Sequence, residues 1–444
     1  ASLLGLGTNF VNFVGHHAYT GTANGVAAVQ VTEWDEPQAV IGSYLHRYVY
    51  PDWYRRHEAR GRRLEHVHKN RAGSATTCLQ LRGEYLYAAQ GKSGMQVFDV
   101  ASIGNKGISQ RLITAPFSSL GHDTHIASRN ATCVALPTNN PIAPWKANTP
   151  FMREVNQEQP FLPIYHYALI TDAEEGLILT SVDTLQNGEP RDNQLTRALT
   201  FNPGGVLDGA RHLAIAGSRV YVAARAGIVA LDLADPLQPV VTAVTPVPDV
   251  RSLAVQFRYL FATSARGLET LDITDMSRPR PVTVLPIADA QRVYVARTFA
   301  YVAAGADGLV IVDVQNPEKP TEYLRTTGDG RLRYAHDVIV GSTNASLFAY
   351  VADDTGLHVF QLTSPESQPK FYGFSPDPKP QWIAWADTGD PALALSKGLD
   401  RDRAVDETGG QIAVFGRIGS RPFNRAEMER LFLRPDKTPW FVTD

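Results

Sequence analysis

The most regular segment of the chain reads Phe299-Ala-Tyr-Val-Ala-Ala-Gly-Ala-Asp-Gly-Leu-Val-Ile-Val-Asp-Val314 and runs into Asn316-Pro-Glu-Lys-Pro320. Apolar residues cluster on both sides of a Gly-containing turn, as in two short strands of a hairpin. The Asn-Pro pair marks a second turn before the next strand. The segment therefore predicts three consecutive short strands.

The same unit recurs from one end of the sequence to the other. Further copies contain the turn glycines Gly25, Gly94, Gly176, Gly227, Gly267, Gly356 and Gly410. The shortest intervals, counted through Gly308 of the first copy, are 40 and 41 residues. An internal period of about 40 residues is typical of β-propeller blades, which have four strands each. Longer intervals indicate blades with insertions.

An alternating segment precedes each turn and supplies the first two strands of a blade, as in residues 211–222 and 251–261. The alternation marks faces buried between neighbouring blades. Eight copies predict an all-β, eight-bladed propeller, with seven blades and a divergent flap as the alternative. We expect one propeller domain over residues 1–423. Residues 424–444 would form a tail with a short C-terminal helix that Asn424 can cap.

The string Leu309-Val-Ile-Val-Asp313, within its Gly turn and Asn-Pro punctuation, resembles the LVIVD-repeat family. Members of that family resemble bacterial and archaeal cell-surface β-propellers. The resemblance covers roughly residues 8–420 and implies a cell-surface setting, in which multihaem c-type cytochromes are one partner class. The repeat residues are packing and turn residues, so the resemblance implies a fold and no catalytic group.

Composition excludes several classes of protein. The chain has 444 residues and a formal net charge of -3, so nucleic acid is not an expected partner. No apolar run approaches the length of about 18 residues that a membrane-spanning helix needs. The two cysteines, Cys78 and Cys133, form no Cys-x-x-Cys-His motif, which excludes covalently attached c-type haem within this chain.

The sequence also gives an expectation of where the protein acts. It begins at Ala1 without Met and without a basic-then-apolar leader, as a mature product or a cut fragment of a larger precursor would. We therefore expect a periplasmic, extracellular or cell-surface protein. An oxidising compartment would permit a disulfide between Cys78 and Cys133, whereas two free buried thiols are the alternative.

Polar residues stand two positions before the first apolar residue of each inner strand, where they should ring one mouth of the central channel. They are Asn9, Thr77, Arg211, Arg251, Gln291, His336 and Gln381. Arg211, Arg251 and His336 together would bind an anion or a small ligand. A hydrated funnel of mutually satisfied polar groups is the alternative.

The first predicted insertion, residues 44–70, contains the basic cluster of the chain. Its docking candidates are Trp53, Tyr54, Arg55, Arg56, Arg62 and Arg63. Aromatic anchors among arginines suit an acidic protein partner. Pairing of the arginines with Glu58 and Glu65 would instead make this segment an ordinary surface loop.

Metal ligands are weakly indicated at two places. His57, His66 and His68 lie in the first insertion, and His122 and His125 lie in a second, Pro-rich insertion over residues 118–158. His66 and His68 share one face of an extended segment, as two ligands of one metal ion would. Local turn hydrogen bonds are the alternative for the second group.

Standard catalytic motifs are absent from the sequence, including Gly-x-Ser-x-Gly, His-Glu-x-x-His and the phosphate-binding Gly-x4-Gly-Lys-Ser/Thr. We therefore predict a non-catalytic exported propeller, without a cofactor of its own, that serves as an interaction or scaffold module of a larger assembly. The alternative is a metal-assisted hydrolase or oxidoreductase whose site at the channel mouth is assembled from several blades.

Overall fold

The segment quoted first forms the strands that its pattern predicts. In the computed structural model, Phe299–Ala303 pairs with Leu309–Asp313 in antiparallel fashion, and Thr321–Thr326 pairs with the second of these strands. Arg292–Ala296 pairs with the first, which completes a four-stranded sheet. Gly308, in the turn, has a φ of 73°, a left-handed conformation that glycine adopts without a steric penalty.

The structure describes residues 17–30, 62–63, 67–71, 74–82, 85–100, 124–137, 151, 162–185, 193–342, 347–363, 377–396, 417–418 and 421–422. The strands, numbered in chain order, are β1 (His17–Thr22), β2 (Gly25–Gln30), β3 (Arg62–Arg63), β4 (Val67–Arg71), β5 (Cys78–Arg82), β6 (Tyr85–Ala89), β7 (Met95–Asp99), β8 (His125–Ile126), β9 (Ala131–Ala135), β10 (Tyr167–Asp172), β11 (Gly176–Ser181), β12 (Thr196–Phe201), β13 (His212–Ala216), β14 (Arg219–Ala224), β15 (Gly227–Asp232), β16 (Val240–Thr245), β17 (Ser252–Gln256), β18 (Tyr259–Ser264), β19 (Gly267–Asp272), β20 (Arg280–Pro286), β21 (Arg292–Ala296), β22 (Phe299–Ala303), β23 (Leu309–Asp313), β24 (Thr321–Thr326), β25 (Ala335–Ser342), β26 (Leu347–Asp353), β27 (Gly356–Gln361), β28 (Gln381–Ala386), β29 (Ala392–Leu395), β30 (Arg417–Ile418) and β31 (Arg421–Pro422). Short 3₁₀ helices span Pro163–His166, Asp183–Leu185 and Pro203–Gly205.

Seven sheets make a seven-bladed β-propeller. From the channel outwards, blade 1 contains β29, β1, β2 and β4, and blades 2 to 7 contain β5–β8, β9–β12, β13–β16, β17–β20, β21–β24 and β25–β28. The innermost strands contact one another in a closed ring, from β5 through β9, β13, β17, β21, β25 and β29 back to β5. The strand β3 adds to the outer edge of blade 7, parallel to β28, and β30 pairs with β31.

The prediction of eight blades is wrong. Gln381, predicted to precede an eighth inner strand, begins the outer strand of blade 7. The next strand, β29, pairs with β1, so blade 1 combines one C-terminal strand with three N-terminal strands. Counting turn glycines cannot reveal this shared blade. The Gly410 copy and the C-terminal helix predicted after Asn424 lie outside the described residues, so neither has structural support.

Neither predicted insertion is one uninterrupted loop. Residues 44–70 overlap β4, the outer strand of blade 1. Residues 118–158 contain β8, the outer strand of blade 2, and β9, the innermost strand of blade 3. Strands of two and five residues present too short a pattern to stand out from a Pro-rich segment.

Both faces of the second strand of each blade pack in the interior, as the alternation predicts. In β22, Phe299 and Tyr301 join a buried cluster shared with blade 7, whereas Ala300 and Val302 join one shared with blade 5. Such interdigitation between blades supplies the core. No helix among the described residues is long and apolar enough to cross a membrane.

Candidate functional site in the central channel

Four residues predicted at the channel mouth lie on consecutive blades at one end of the innermost strands. Arg211, Arg251 and Gln291 directly precede β13, β17 and β21, and His336 is the second residue of β25. Their hydrogen-bond partners come from neighbouring turns. The mouth network, as we term it, consists of Arg211, Asp249, Arg251, Asp289, Gln291, Tyr334, His336 and Asp354.

Two carboxylates join the arginines of this network. Asp249 accepts hydrogen bonds from Arg211 Nη1 at 2.6 Å and from Arg251 Nε at 2.9 Å. Arg251 Nη1 also donates to Asp289 Oδ1 at 2.8 Å. Arg251 is therefore held between two carboxylates, and the ion pairs connect blades 4, 5 and 6.

Neutral groups extend the network to blade 7. Asp289 accepts from Gln291 Nε2 at 2.6 Å and from the Tyr334 hydroxyl at 2.6 Å. The ring centroids of Tyr334 and His336 are 4.9 Å apart. His336 Nε2 lies 2.7 Å from Asp354 Oδ1. Hydrogen bonds and one ring contact thus connect residues of four of the seven blades.

The network shifts the pKa values of Asp249, Arg251, Asp289 and Tyr334. Burial raises the pKa of Asp249 and of Asp289, but the hydrogen bonds that they accept lower it further, so each pKa lies below its ordinary value. Burial lowers the pKa of Arg251, and its bonds to both carboxylates outweigh that effect. The pKa of Tyr334 rises to about 12, through burial and then through Asp289. An anion at the mouth would therefore have to displace a carboxylate from Arg251.

The sequence pattern identifies four members of the mouth network but not the donor Tyr334 or the acceptors Asp249 and Asp289. Asp249 and Asp289 stand 40 residues apart, each two positions before a predicted mouth residue. The repeat period could therefore have identified both carboxylates. Both adopt left-handed backbone conformations, with φ of 48° and 52°. Aspartate and asparagine are enriched in this conformation among residues other than glycine.

The remaining predicted mouth residues lie in different places. Thr77 directly precedes β5 and its Oγ1 donates to the Thr132 carbonyl at 2.8 Å, which links blades 2 and 3. Gln381 is an exposed residue at the start of β28, far along its blade from the innermost strand. Asn9 lies outside the described residues.

A second layer of the channel lies one residue further along each innermost strand. We term it the collar, and its members from blade 1 to blade 7 are Ala394, Cys78, Cys133, His212, Ser252, Arg292 and Asp337. Their register partners on the second strands are Gly21, Ala89, Thr171, Ala223, Thr263, Ala303 and Ala352. Because these partners are all small, they leave room for the larger collar side chains.

Collar side chains accept hydrogen bonds from the backbone of the next blade. His212 Nδ1 accepts from the Leu253 N–H at 3.1 Å. Asp337 Oδ2 accepts from the Leu395 N–H at 2.7 Å. Cys78 Sγ and Ser252 Oγ accept in the same way, from the backbone of blades 3 and 6. These bonds use N–H groups that face the neighbouring strand, and so join the inner strands sideways.

Cys78 and Cys133, adjacent in the collar, are joined in a disulfide that links blades 2 and 3. The two sulfurs and one ring nitrogen of His212 all lie within 4.8 Å of one another, a spacing that a metal ion could use. Both sulfurs are bonded to each other, however, and His212 Nδ1 accepts from Leu253. In this state the two cysteines form a covalent cross-link between blades, and their sulfurs are not available as metal ligands.

The structure places few of the predicted docking and metal residues. Trp53, Tyr54, Arg55, Arg56, His57, His66 and His122 lie outside the described residues. Arg62 and Arg63 form β3, and His68 lies in β4. His125 lies in β8, where its Nε2 contacts the Ser93 carbonyl, and it belongs to no group of three possible metal ligands among the described residues.

Comparison with known proteins agrees with the repeat and the fold. The LVIVD repeat model matches residues 287–327, a span that includes all four strands of blade 6, so the predicted resemblance is confirmed there. No curated protein matches the sequence.

Among solved structures, a Bacteroides fragilis protein described as a putative 6-phosphogluconolactonase is similar. Its TM-score is 0.52 at 10% identity, over 87% of this chain and 98% of that one. The β-propeller domain of Myceliophteria thermophila Cps50 (Swd1) gives a TM-score of 0.45 at 13% identity, over 72% of this chain and 89% of that one. At these identities the likeness of the first structure shows the fold alone.

Proposed function

We propose that this chain is an exported, non-catalytic β-propeller that serves as a protein-interaction module of a larger extracellular or cell-surface assembly. The observation that carries this proposal is the mouth network. Arg251 is paired with both Asp249 and Asp289, so the mouth residues hold blades together and are not left open for a reaction. A rigid ring of blades with specific loops is a common platform for partner proteins.

The place of the first insertion supports a docking role at the outer rim. The chain leaves blade 1 after β2, and Arg62–Arg63 then pairs in parallel with the backbone of Ala384 and Trp385 on the outer edge of blade 7. It returns to blade 1 as β4. The two arginines of β3 therefore lie at the outer edge of blade 7, and β4 lies at the outer edge of blade 1, next to it in the ring.

The disulfide between Cys78 and Cys133 supports export, because disulfides persist in oxidising compartments. We take the partner class from the LVIVD resemblance: a multihaem c-type cytochrome with an acidic surface opposite the arginines. This chain carries no Cys-x-x-Cys-His motif, so haem in a purified complex would belong to the partner.

The test is purification of the tagged protein from its source, followed by the intact mass and the visible absorption spectrum of the complex. We expect a mass above 48.6 kDa with haem absorption, and loss of both in the charge-reversal variant Arg62→Glu/Arg63→Glu. The matched control is Arg278→Glu/Arg280→Glu, which reverses two exposed arginines on blade 5. A bare monomer, or a partner retained by both variants, would refute the docking role of the insertion.

A metal-assisted hydrolase or oxidoreductase remains the second proposal, and one observation favours it. His336 and Asp354, 2.7 Å apart at the mouth, form the kind of pair that orients an imidazole for proton transfer. Metal analysis of the same purified protein separates the two proposals: a stoichiometric metal ion bound to the isolated 48.6 kDa chain would favour the enzyme.

A further inference from the structure

Arg292 departs from the pattern of the collar. Its neighbours Ser252 and Asp337 accept backbone N–H groups of the next blade, but a guanidinium has no acceptor atom. On the next blade, the Val338 N–H would be the donor for a collar residue at the position of Arg292. It donates instead to Asp337 Oδ1 at 2.8 Å. Arg292 thus does not contribute the lateral bond that the other polar collar residues supply.

The Arg292 side chain instead crosses the channel. Arg292 Nη2 donates to the carbonyl oxygen of Thr77 at 2.8 Å. Arg292 belongs to blade 6 and Thr77 to blade 2, with blades 7 and 1 between them on the shorter way round the ring. The guanidinium therefore lies inside the channel and not against its wall.

This guanidinium is short of partners. Among the described residues, the bond to Thr77 is the one hydrogen bond of the guanidinium, and no carboxylate forms an ion pair with it. Protein surrounds the group and lowers its pKa, an effect that the charge of Asp337 opposes only in part. Arg292 as a whole residue is half-buried. A desolvated cation with open donors favours an anion beside it.

Arg292 differs from the arginines of the mouth network in its partners. Arg211 and Arg251 carry carboxylate partners within 3 Å, whereas Arg292, one residue deeper, has none among the described residues. We infer that the channel binds a small monovalent carboxylate at Arg292, below the mouth network. The planar fork of the guanidinium matches the two oxygens of a carboxylate. The negative charge of Asp337 close by disfavours a dianion such as phosphate.

The experiment is isothermal titration calorimetry of the full-length protein with sodium acetate and, separately, with sodium phosphate, at constant ionic strength. We expect saturable binding of acetate by the wild type. Arg292→Met, which keeps much of the side-chain volume without the charge, should weaken acetate binding at least about tenfold. The matched control Arg211→Met removes an arginine of the mouth network and should change the affinity by less than about twofold.

Absence of saturable acetate binding to the wild type would overturn the inference, as would equal affinity in Arg292→Met. Tighter binding of phosphate than of acetate would overturn the assignment to carboxylates. If Arg292→Met does not fold, because its bond to Thr77 ties blade 6 to blade 2, Arg292→Lys replaces it. The lysine keeps the charge but not the planar fork, so we expect acetate affinity several-fold weaker than that of the wild type.

Discussion

Arg251 Nη1 and Asp289 Oδ1 lie 2.8 Å apart and connect two blades, since Arg251 precedes the innermost strand of blade 5 and Asp289 lies in the turn that leads into blade 6. The same carboxylate accepts from Gln291 and from Tyr334, which precedes blade 7. One side chain therefore bonds to donors of three blades. The mouth network therefore holds three blades together at the protein surface.

Asp289→Asn should show how much these hydrogen bonds contribute to the free energy of unfolding. Asparagine has the same shape and tolerates the left-handed backbone, so the substitution removes the charge and one acceptor and leaves the turn intact. We expect the free energy of unfolding to fall by about 1–2 kcal/mol at pH 7, measured by urea denaturation. The control is Asp329→Asn, which has the same conformation but is 94% exposed and should cost less than about 0.5 kcal/mol. Equal losses would contradict the role of Asp289.

The pH dependence of the same pair follows from the sign of the pKa change. The folded-state pKa of Asp289 lies below its ordinary value of 3.8, so its contribution is complete above that value and disappears as the pH falls through the folded pKa. We expect the difference in unfolding free energy between wild type and Asp289→Asn to be the same at pH 7 and pH 5. It should shrink below about pH 3.8. A difference that persists in strong acid would exclude the charge as its cause.

The sequence predicts the parts of this protein that repeat and fails where blades are shared or interrupted. Strand pattern, buried alternation and the mouth donors of blades 4 to 6 all follow from a period of about 40 residues. The blade count does not, because β29 and β1 are distant in sequence and their pairing leaves no local signal. The role of Arg292 cannot be predicted for a similar reason: its partner Thr77 is 215 residues away in sequence and contacts it across the channel.

The turn glycine of the LVIVD blade has a structural role that a single substitution tests. Gly308 has a φ of 73°, and a Cβ atom there would lie 2.5 Å from the Thr326 carbonyl oxygen of the outer strand. Gly308→Ala should therefore cost about 2–4 kcal/mol, from backbone strain and from separation of β23 and β24. Gly330→Ala is the control, because Gly330 has a similar φ of 80° but nothing within 4 Å. If both variants lose the same stability in urea, the close approach of the outer strand carries no cost.

The disulfide of the collar should be a major contributor to stability. Its cysteines are 55 residues apart in sequence, so the bond restricts a long loop of the unfolded chain. Reduction, or the double substitution Cys78→Ala/Cys133→Ala, should lower the free energy of unfolding by about 2–4 kcal/mol. Denaturation with and without a phosphine reductant measures this. Two titratable thiols in the unreduced, denatured protein would show that the bond does not form.

Blade 7 contains a buried histidine that should make the protein sensitive to mild acid. His358 Nδ1 accepts from Trp382 Nε1 at 3.1 Å, and His358 Nε2 lies 2.7 Å from Thr355 Oγ1, which itself donates to Asp353 at 2.7 Å. The neutral ring with its proton on Nε2 satisfies all three bonds. A proton on Nδ1 would face the indole N–H and break the bond to Trp382.

Burial lowers the pKa of His358 below 6.5, although Asp353 opposes that change and Arg331 adds to it. The unfolded chain therefore binds the proton more readily, and stability is lost as the pH falls below about 6.5. His358→Phe should cost about 2–3 kcal/mol in urea at pH 7.5, because Trp382 and Thr355 lose their partner. That cost should shrink towards pH 5. At this pH the folded wild type is destabilised because its ring stays neutral while the unfolded chain binds a proton, whereas phenylalanine does not titrate. A cost that stays constant from pH 7.5 to pH 5 would mean that His358 titrates alike in the folded and unfolded chains.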